Sequence, residues 1–232
     1  MSERTYTSAI DRLAGLPEVF TGGDLTVLFG WNSGIASTYL ANWRRAGLVK
    51  SLGGRSDVHM NLVRNRQVNP ELALRRAYPQ AIKLGVDVLR EAGWTTQIPT
   101  LTEVAVPASS ASYALDGFEI TTRTAKWFAR VAPGIETVAQ GVNRLRSPWA
   151  LADMIARAQD ARVRGAWLLD PADIDLAAAR DDADTLQALA AFGLRADCAG
   201  DAGYAKLYDA FRSARSPGSP ARSPRFVPGS PR

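Results

Sequence analysis

Apolar residues in the first part of the chain recur at helical spacing in three short segments, which predicts three consecutive helices. The first is expected from Ser8 to Leu16 and ends at Pro17, because proline disfavours helix at the residue before it. The second begins after Gly22-Gly23, with Asp24 near its positive end. The expected core-facing residues are Ile10, Leu13 and Leu16 in the first helix and Leu25, Leu28 and Phe29 in the second.

The third predicted helix begins at Asn32 or Ser33, whose side chains can cap free backbone amides, and ends at Gly47 as a left-handed cap. Its expected core-facing residues are Ile35, Tyr39, Leu40 and Trp43. Its expected outer face carries Ser33, Ser37, Thr38, Asn42, Arg44 and Arg45. Hydroxyl, amide and guanidinium groups on such a face can bond base edges and phosphates.

Two alternating apolar runs follow, residues 48–52 and 58–63, on either side of a glycine turn, and this pattern predicts a hairpin. A hairpin directly after a helix-turn-helix predicts a winged helix, with Lys50 and Arg55 placed to meet the sugar-phosphate backbone. We therefore expect residues 1–66 to form a winged helix-turn-helix domain that binds double-stranded DNA. The alternative is a docking or dimerisation module whose arginine pair is a solvated face.

The remaining chain is expected to give an α+β protein overall, with a linking helix at residues 67–77, a mixed α/β domain at 78–212 and a disordered tail at 213–232. The tail is rich in serine, proline and arginine and has too few apolar residues to fold. Four arginines near the linker are candidates for extra phosphate contacts or for a plain solvated face. They are Arg64, Arg66, Arg75 and Arg76.

Within residues 78–212 the pattern predicts helices and strands in alternation. The expected helices cover Ile82 to Ala92, a segment opened by Ser147 as cap and Pro148, Asp184 to Phe192, and Tyr204 to Arg212. The expected strands cover Leu101 to Val106, Tyr113 to Thr122 with a tight turn at Asp116-Gly117, and Trp127 to Val131. Four tryptophans, Trp94, Trp127, Trp149 and Trp167, are expected to contribute to a separate core.

The net charge of +5 is unevenly distributed along the 232 residues. Residues 1–77 carry ten Lys/Arg against six Asp/Glu, residues 78–212 carry fourteen against seventeen, and the tail carries four arginines and no acid. The positive charge therefore lies on the expected DNA-binding domain and on the tail, as attraction to phosphate favours. The apolar segments are too short for a membrane span, the N-terminus does not read as a signal peptide, and one cysteine allows no internal disulfide, so a cytoplasmic protein is expected.

Residues suited to catalysis or metal binding are few. His59 is the single histidine and Cys198 the single cysteine, and they fall in different expected domains. The carboxylates around Asp170 to Asp184 could hold magnesium, but aspartates next to turns are more typical of helix caps. Asp116 and Glu119 suggest a nuclease strand, which remains an alternative, yet the lysine that should follow Glu119 closely is missing. The sequence thus predicts no enzyme, no cofactor and no metal.

Three segments together resemble the AbiEi antitoxins of bacterial AbiE toxin–antitoxin systems, which are linked to phage resistance. They are TSAIDRLAGLPEVFTGGDLTVLFGW at the N-terminus, YPQAIKLGVDVLREAGW after the linker, and FEITTRTAKWF further on. The resemblance covers roughly residues 5–212 and rests on overall pattern.

The resemblance implies a transcriptional autorepressor that binds inverted repeats in its own promoter, with contacts from Ser33, Ser37, Thr38, Asn42, Arg44, Arg45, Lys50 and Arg55. It implies that the second domain counters a nucleotidyltransferase toxin without a stable protein complex. The Ser/Pro/Arg tail is not a feature of that family.

Overall fold

The computed structural model describes residues 8–53, 56–109, 115–160, 163 and 167–214. Its helices are α1 (Ala9–Ala14), α2 (Gly22–Phe29), α3 (Ser33–Arg45), α4 (Pro70–Ala77), α5 (Val86–Glu91), α6 (Ala125–Val131), α7 (Ser147–Gln159), α8 (Leu176–Asp181), α9 (Thr185–Ala191) and α10 (Asp201–Ala214). Its strands are β1 (Val19–Thr21), β2 (Val49–Ser51), β3 (Val58–Asn61), β4 (Ile82–Lys83), β5 (Thr102–Pro107), β6 (Phe118–Arg123), β7 (Ile135–Glu136) and β8 (Asn143–Leu145). Over these residues the chain is a mixed α/β protein with two sheets.

The first sheet joins three antiparallel strands in the order β1-β3-β2. The hairpin predicted from the sequence is confirmed, since β2 and β3 pair with Lys50 opposite Met60. Strand β1, which was not predicted, pairs with the other edge of β3 and places Phe20 opposite His59. Helices α1, α2 and α3 pack beside this sheet around one core that includes Leu13, Leu40 and Trp43.

Side-chain caps fix where the first three helices begin. Ser8 and Thr21 each form a capping box with the aspartate three residues later, and Asn32 accepts a hydrogen bond from the backbone amide of Ile35. Helix α3 ends at Arg45, and Gly47 follows with a φ of 69°, the left-handed conformation expected of it. The caps therefore explain why each of these three helices begins where it does.

Several side chains predicted to face this core are exposed instead. Ile10 is 58% exposed, Leu28 56% and Ile35 43%, while Tyr39 is half-buried. The buried stripe of α3 is narrower than expected, because Ala36, Leu40 and Trp43 fill it at spacings of four and three residues. Ile35 therefore lies at the edge of the stripe and faces solvent.

The second sheet is mixed, with the strand order β6-β5-β4-β8-β7. Strands β5 and β6 are parallel, as are β4 and β8, whereas β4 with β5 and β7 with β8 run antiparallel. Helices α5, α7, α9 and α10 contribute to the core of this region, in which Trp149 and Tyr204 are among the largest fully buried side chains. The helices predicted from Ser147 and around Asp184 to Phe192 are confirmed as α7 and α9, and the one from Tyr204 lies within α10.

Some predictions for this region were wrong. The segment from Trp127 to Val131 lies in helix α6 and is not a strand. The Thr124 side chain caps this helix, and the two buried residues, Trp127 and Val131, are four residues apart and so share one helical face. Ile82 lies in strand β4 rather than in the following helix. Gly85, with a φ of 75°, separates the two elements in a conformation that favours glycine.

Four finer predictions also need correction. Ser147 is the first residue of α7 and not its cap, which is Arg146 without a side-chain bond. Trp167 is 38% exposed, whereas the other three core tryptophans are buried. Strand β6 begins only at Phe118, after an antiparallel bridge to Leu115. Helix α10 extends to Ala214, past the expected start of the tail; Tyr113, Ala114 and residues 215–232 lie outside the described residues.

Helix α4 joins the two sheets. Leu74 of α4, Met60 of β3 and Val104 of β5 belong to one buried cluster, so the three-stranded sheet and the five-stranded sheet share a core. Arg75 donates hydrogen bonds to the backbone carbonyls of residues 138, 139 and 141, and Arg76 pairs with Asp24 at 3.1 Å. These two arginines therefore bind groups of the chain itself rather than forming a plain solvated face. Every helix in the described ranges is too short or too polar to span a bilayer.

Candidate nucleic-acid interface

The outer face of α3 carries the residues that the sequence assigns to it. All six polar positions are exposed: Ser33, Ser37, Thr38, Asn42, Arg44 and Arg45. The opposite side is closed by Ala36, Leu40 and Trp43, each no more than 5% exposed. Helix α3 is therefore a rod with one apolar side in the core and one polar, cationic side in solvent.

An aromatic cluster holds α3 in place. The rings of Trp31 and Tyr39 stack with centroids 4.2 Å apart, and Trp43 lies 6.0 Å from Trp31. The guanidinium of Arg12 lies over both stacked rings, 5.4 Å and 5.0 Å from their centroids. The sequence pattern gives no sign of this role of Arg12. Such contacts restrain the side chains around α3 and so limit its movement.

The polar groups on α3 are only partly engaged with one another. The Thr38 hydroxyl donates to the carbonyl of Gly34 at 2.9 Å. Arg45 Nη1 donates to Asn42 Oδ1 at 3.2 Å. Among the described residues, Arg44 forms no ion pair, and the same is true of Lys50. These two cations are therefore available to an anionic ligand.

The hairpin lies next to α3 along the chain and contributes one exposed cation, Lys50 on β2. Arg55, predicted as a second hairpin contact, lies outside the described residues. Arg64 donates from Nη1 to the carbonyls of Ala14 and Leu16, at 3.2 and 3.4 Å, so it is already bound to the end of α1. Arg66 is exposed.

His59 occupies the central strand of the hairpin sheet and is only 4% exposed. Burial lowers the pKa of its imidazole from the usual value, Asp57 opposes that change, and the positive charge of Arg44 adds to it. Its Nε2 lies 3.7 Å from Asp57 Oδ1, and Nδ1 has no hydrogen-bond partner among the described residues. His59 is thus a buried core residue.

The carboxylates considered as metal ligands serve as caps and ion-pair partners. Asp170 accepts from the amide of Ala172 at 3.0 Å, Asp175 accepts from that of Ala178 at 2.9 Å, and Asp184 pairs with Arg146. In the described part of the chain, no three His, Cys, Asp or Glu side chains are grouped so as to hold a metal ion. Asp116 and Glu119 are both exposed, and Cys198 is buried in the core of the second region.

A buried ionic network in the second region was not predicted. Arg123 pairs with Asp153 at 3.0 Å, Trp127 Nε1 donates to Asp153 at 2.7 Å, and Arg157 pairs with Glu103. Burial raises the pKa of Glu103, although the two arginines oppose this. The sequence held a signal, because Glu103 and Asp153 are single acids inside apolar runs and buried acids need partners. The network gives both carboxylates arginine partners, although the buried Nε atoms of Arg123 and Arg157 have no hydrogen-bond partner among the described residues.

Comparison with solved structures shows that the fold is similar to the crystal structure of the RV2827C protein from Mycobacterium tuberculosis. The two share 17% sequence identity with a TM-score of 0.58, over 88% of this chain and 79% of that one. No protein-family model matches the chain, and the curated proteins give no match. At this identity the likeness establishes a shared fold and carries no statement about function.

Proposed function

We propose that residues 8–63 form a winged helix that binds double-stranded DNA, with α3 in the major groove and the β2–β3 hairpin along the backbone. One observation carries the proposal: the side of α3 opposite its buried stripe exposes Thr38, Asn42 and Arg45, and Arg44 is exposed on its flank. A helix of 13 residues is roughly 20 Å long, and the major groove, about 12 Å wide, admits a helix. The order of a short helix, a turn, a longer helix and a hairpin also suits this mode of binding.

Electrostatics support the same proposal. Arg44 and Lys50 lie on neighbouring elements, are exposed, and have no carboxylate partner among the described residues. Unpaired cations on one surface attract the phosphate backbone and release its counterions. In contrast, the second region pairs many of its arginines internally, as Arg123, Arg144 and Arg157 illustrate. Exposed cations without an ion pair therefore lie on α3 and on the adjacent hairpin, where the proposal needs them.

The biological role that we propose is that of an autorepressor and antitoxin of an AbiE-like phage-defence system. The support is the AbiEi resemblance, whose three segments fall on α1 to Trp31, on β4 to α5 and on β6 to α6. In this proposal the DNA is an inverted repeat in the chain's own promoter. The second region counters a nucleotidyltransferase toxin without a stable complex, and the chain needs no cofactor or metal and is not an enzyme.

The test is the affinity for the promoter duplex that precedes the coding sequence, measured by fluorescence anisotropy at one fixed salt concentration. Replacing both Arg44→Ala and Arg45→Ala should weaken binding at least about tenfold, since two contacts to DNA are lost. The matched control is Arg180→Ala with Arg195→Ala, which removes the same charge from exposed arginines of the second region. The control should stay within about twofold of wild type.

Equal affinity of the wild type and the Arg44/Arg45 variant, with both folded by circular dichroism, would contradict the proposal. So would failure of the wild type to bind any duplex while it forms a stoichiometric complex with another protein, which is the behaviour of a docking module.

A further inference from the structure

The two adjacent arginines of α3 point in different directions. At about 100° per residue, Arg45 lies within roughly 20° of Gly34 and Thr38 around the helix axis. This row is opposite the buried stripe formed by Leu40 and Trp43. Arg45 is therefore on the line of α3 that faces directly away from the core, and Gly34 on the same line has no side chain to keep a ligand at a distance.

Arg44 lies on the flank of the helix, about 100° from Arg45. It follows the buried Leu40 by four residues, which places it beside the packed side of α3, and its charge contributes to the lowered pKa of His59 in the hairpin sheet. Arg44 therefore faces the side on which the hairpin lies. A helix inserted with its outermost line toward the groove floor has its flanks beside the groove walls, where the phosphates are.

Arg45 is paired in a way that restricts what it can recognise. A guanidinium group has donors only, so the Asn42 atom that faces Arg45 Nη1 at 3.2 Å must be the carbonyl oxygen. The amide of Asn42 is then left with its NH₂ donors, and Arg45 keeps its remaining N–H groups. The Arg45–Asn42 pair thus presents mostly hydrogen-bond donors to a ligand, with one lone pair of the Asn42 oxygen left to accept. The bond also draws the guanidinium back over the preceding turn, toward the middle of α3.

We propose, building on DNA binding by α3, that the Arg45–Asn42 pair reads the major-groove edge of a guanine while Arg44 contacts a phosphate. Guanine offers two acceptors there, N7 and O6, which match a surface of donors. Adenine offers N7 beside an N6 amino donor, which would face an N–H of the Arg45 guanidinium and lose its hydrogen bond. The Arg45–Asn42 pair therefore selects guanine over adenine, whereas Arg44 positions the helix on the phosphate backbone.

The experiment selects bound molecules from a pool of duplexes with a fully randomised centre, using the wild-type chain, Arg45→Ala and Arg44→Ala. Arg44→Ala is the matched control, because it removes the same charge one residue away. Wild type and Arg44→Ala should enrich the same guanine, and Arg45→Ala should still select DNA but lose that guanine. In the wild-type consensus, replacing this guanine by 7-deazaguanine should lower affinity about tenfold for wild type and have no effect for Arg45→Ala.

Three results would overturn the inference. The wild type could select DNA with no enriched guanine, Arg45→Ala could retain the guanine, or Arg44→Ala could lose it as well. In all three the chain still binds DNA and the proposed function stands. If the wild type selects no DNA, both the proposed function and this inference fail.

Discussion

His59 shows at the scale of a single residue how the hairpin sheet depends on protonation. Its imidazole is buried between neighbouring strands, with the ring of Phe20 5.7 Å away and Nδ1 without a partner among the described residues. Burial lowers its pKa in the folded chain, so the neutral form is the one that the fold accommodates. Protonation would place a second positive charge near Arg44.

The predicted consequence is a loss of stability in mild acid. Because the folded pKa is below the unfolded value of about 6.5, His59 stabilises the fold above that pH, and this contribution is lost as the pH falls below it. The free energy of unfolding of the wild type, measured with urea, should fall by up to about 1.4 kcal/mol per pH unit as the pH drops below about 6.5. His59→Gln removes the only histidine and should abolish this dependence between about pH 8 and pH 5.5. If the free energy of unfolding changed with pH in the same way for the wild type and His59→Gln, this prediction would be refuted.

The exposure of single residues could be predicted from the sequence where polarity keeps a side chain in water, but not where burial depends on packing against a neighbour. The polar positions of α3 were assigned correctly, because hydration keeps Ser37 or Arg45 outside whatever surrounds the helix. Ile35 was misplaced because an apolar residue at the edge of a stripe is buried only if a neighbour covers it. The Arg45–Asn42 bond and the position of Arg12 over two rings depend on side-chain geometry that spacing does not specify.

At the scale of elements, α4 is the helix whose contacts explain why the two sheets form one structure. Lys83 on β4 is 7% exposed and donates to Glu71 of α4 at 2.8 Å and to Glu91 of α5 at 2.9 Å. Burial alone would lower the pKa of Lys83, but the hydrogen bonds to both glutamates raise it, so it stays charged. Arg144 on β8 also pairs with Glu91 at 2.9 Å and extends the network across the sheet.

Removing the central cation should therefore destabilise the junction. Lys83→Gln leaves Glu71 and Glu91 partly buried without their shared partner, and we expect a loss of about 2 kcal/mol in the free energy of unfolding. Arg195→Ala breaks an exposed ion pair with Asp197 and serves as the control, with an expected loss below about 0.5 kcal/mol. Equal urea midpoints for Lys83→Gln and the control would show that the network does not stabilise the junction.

Elements with their own local signals were predictable. Helix α7 follows from Pro148 and its apolar spacing, and the β2–β3 hairpin follows from its glycine turn. Helix α6 was mistaken for a strand because a run of seven residues is too short for its period to be read. Strands β1 and β4, of three and two residues, gain their pairing only from partners distant in sequence. No local pattern could have located them.

The whole molecule shares a buried cluster between its two regions. Val58 and Met60 of the first sheet belong to the same cluster as Val104 and Val106 of the second. The separate domains that the sequence suggests at residues 1–66 and 78–212 are thus in apolar contact. Unfolding either region alone would expose that shared surface to water, at a cost proportional to its apolar area.

Unfolding should therefore occur in one step. Far-ultraviolet circular dichroism and tryptophan emission should give the same urea midpoint, with Trp31 and Trp43 reporting the first region and Trp94, Trp127 and Trp149 the second. Met60→Ala leaves a cavity in the shared core, so it should lower the free energy of unfolding by about 2 to 5 kcal/mol. The urea midpoints from both signals should fall together. Two separated transitions, with only one shifted by Met60→Ala, would show independent domains.

The central claim is that α3 and the hairpin meet the phosphate backbone of duplex DNA, and the salt dependence of binding measures this most directly. Each phosphate contact contributes about 0.9 to the slope of log affinity against log salt concentration. For the promoter duplex, Arg44→Ala with Lys50→Ala should reduce that slope by about 1.8 relative to wild type, and Arg180→Ala with Arg195→Ala should leave it unchanged. An identical slope for wild type and the Arg44/Lys50 variant would contradict the account.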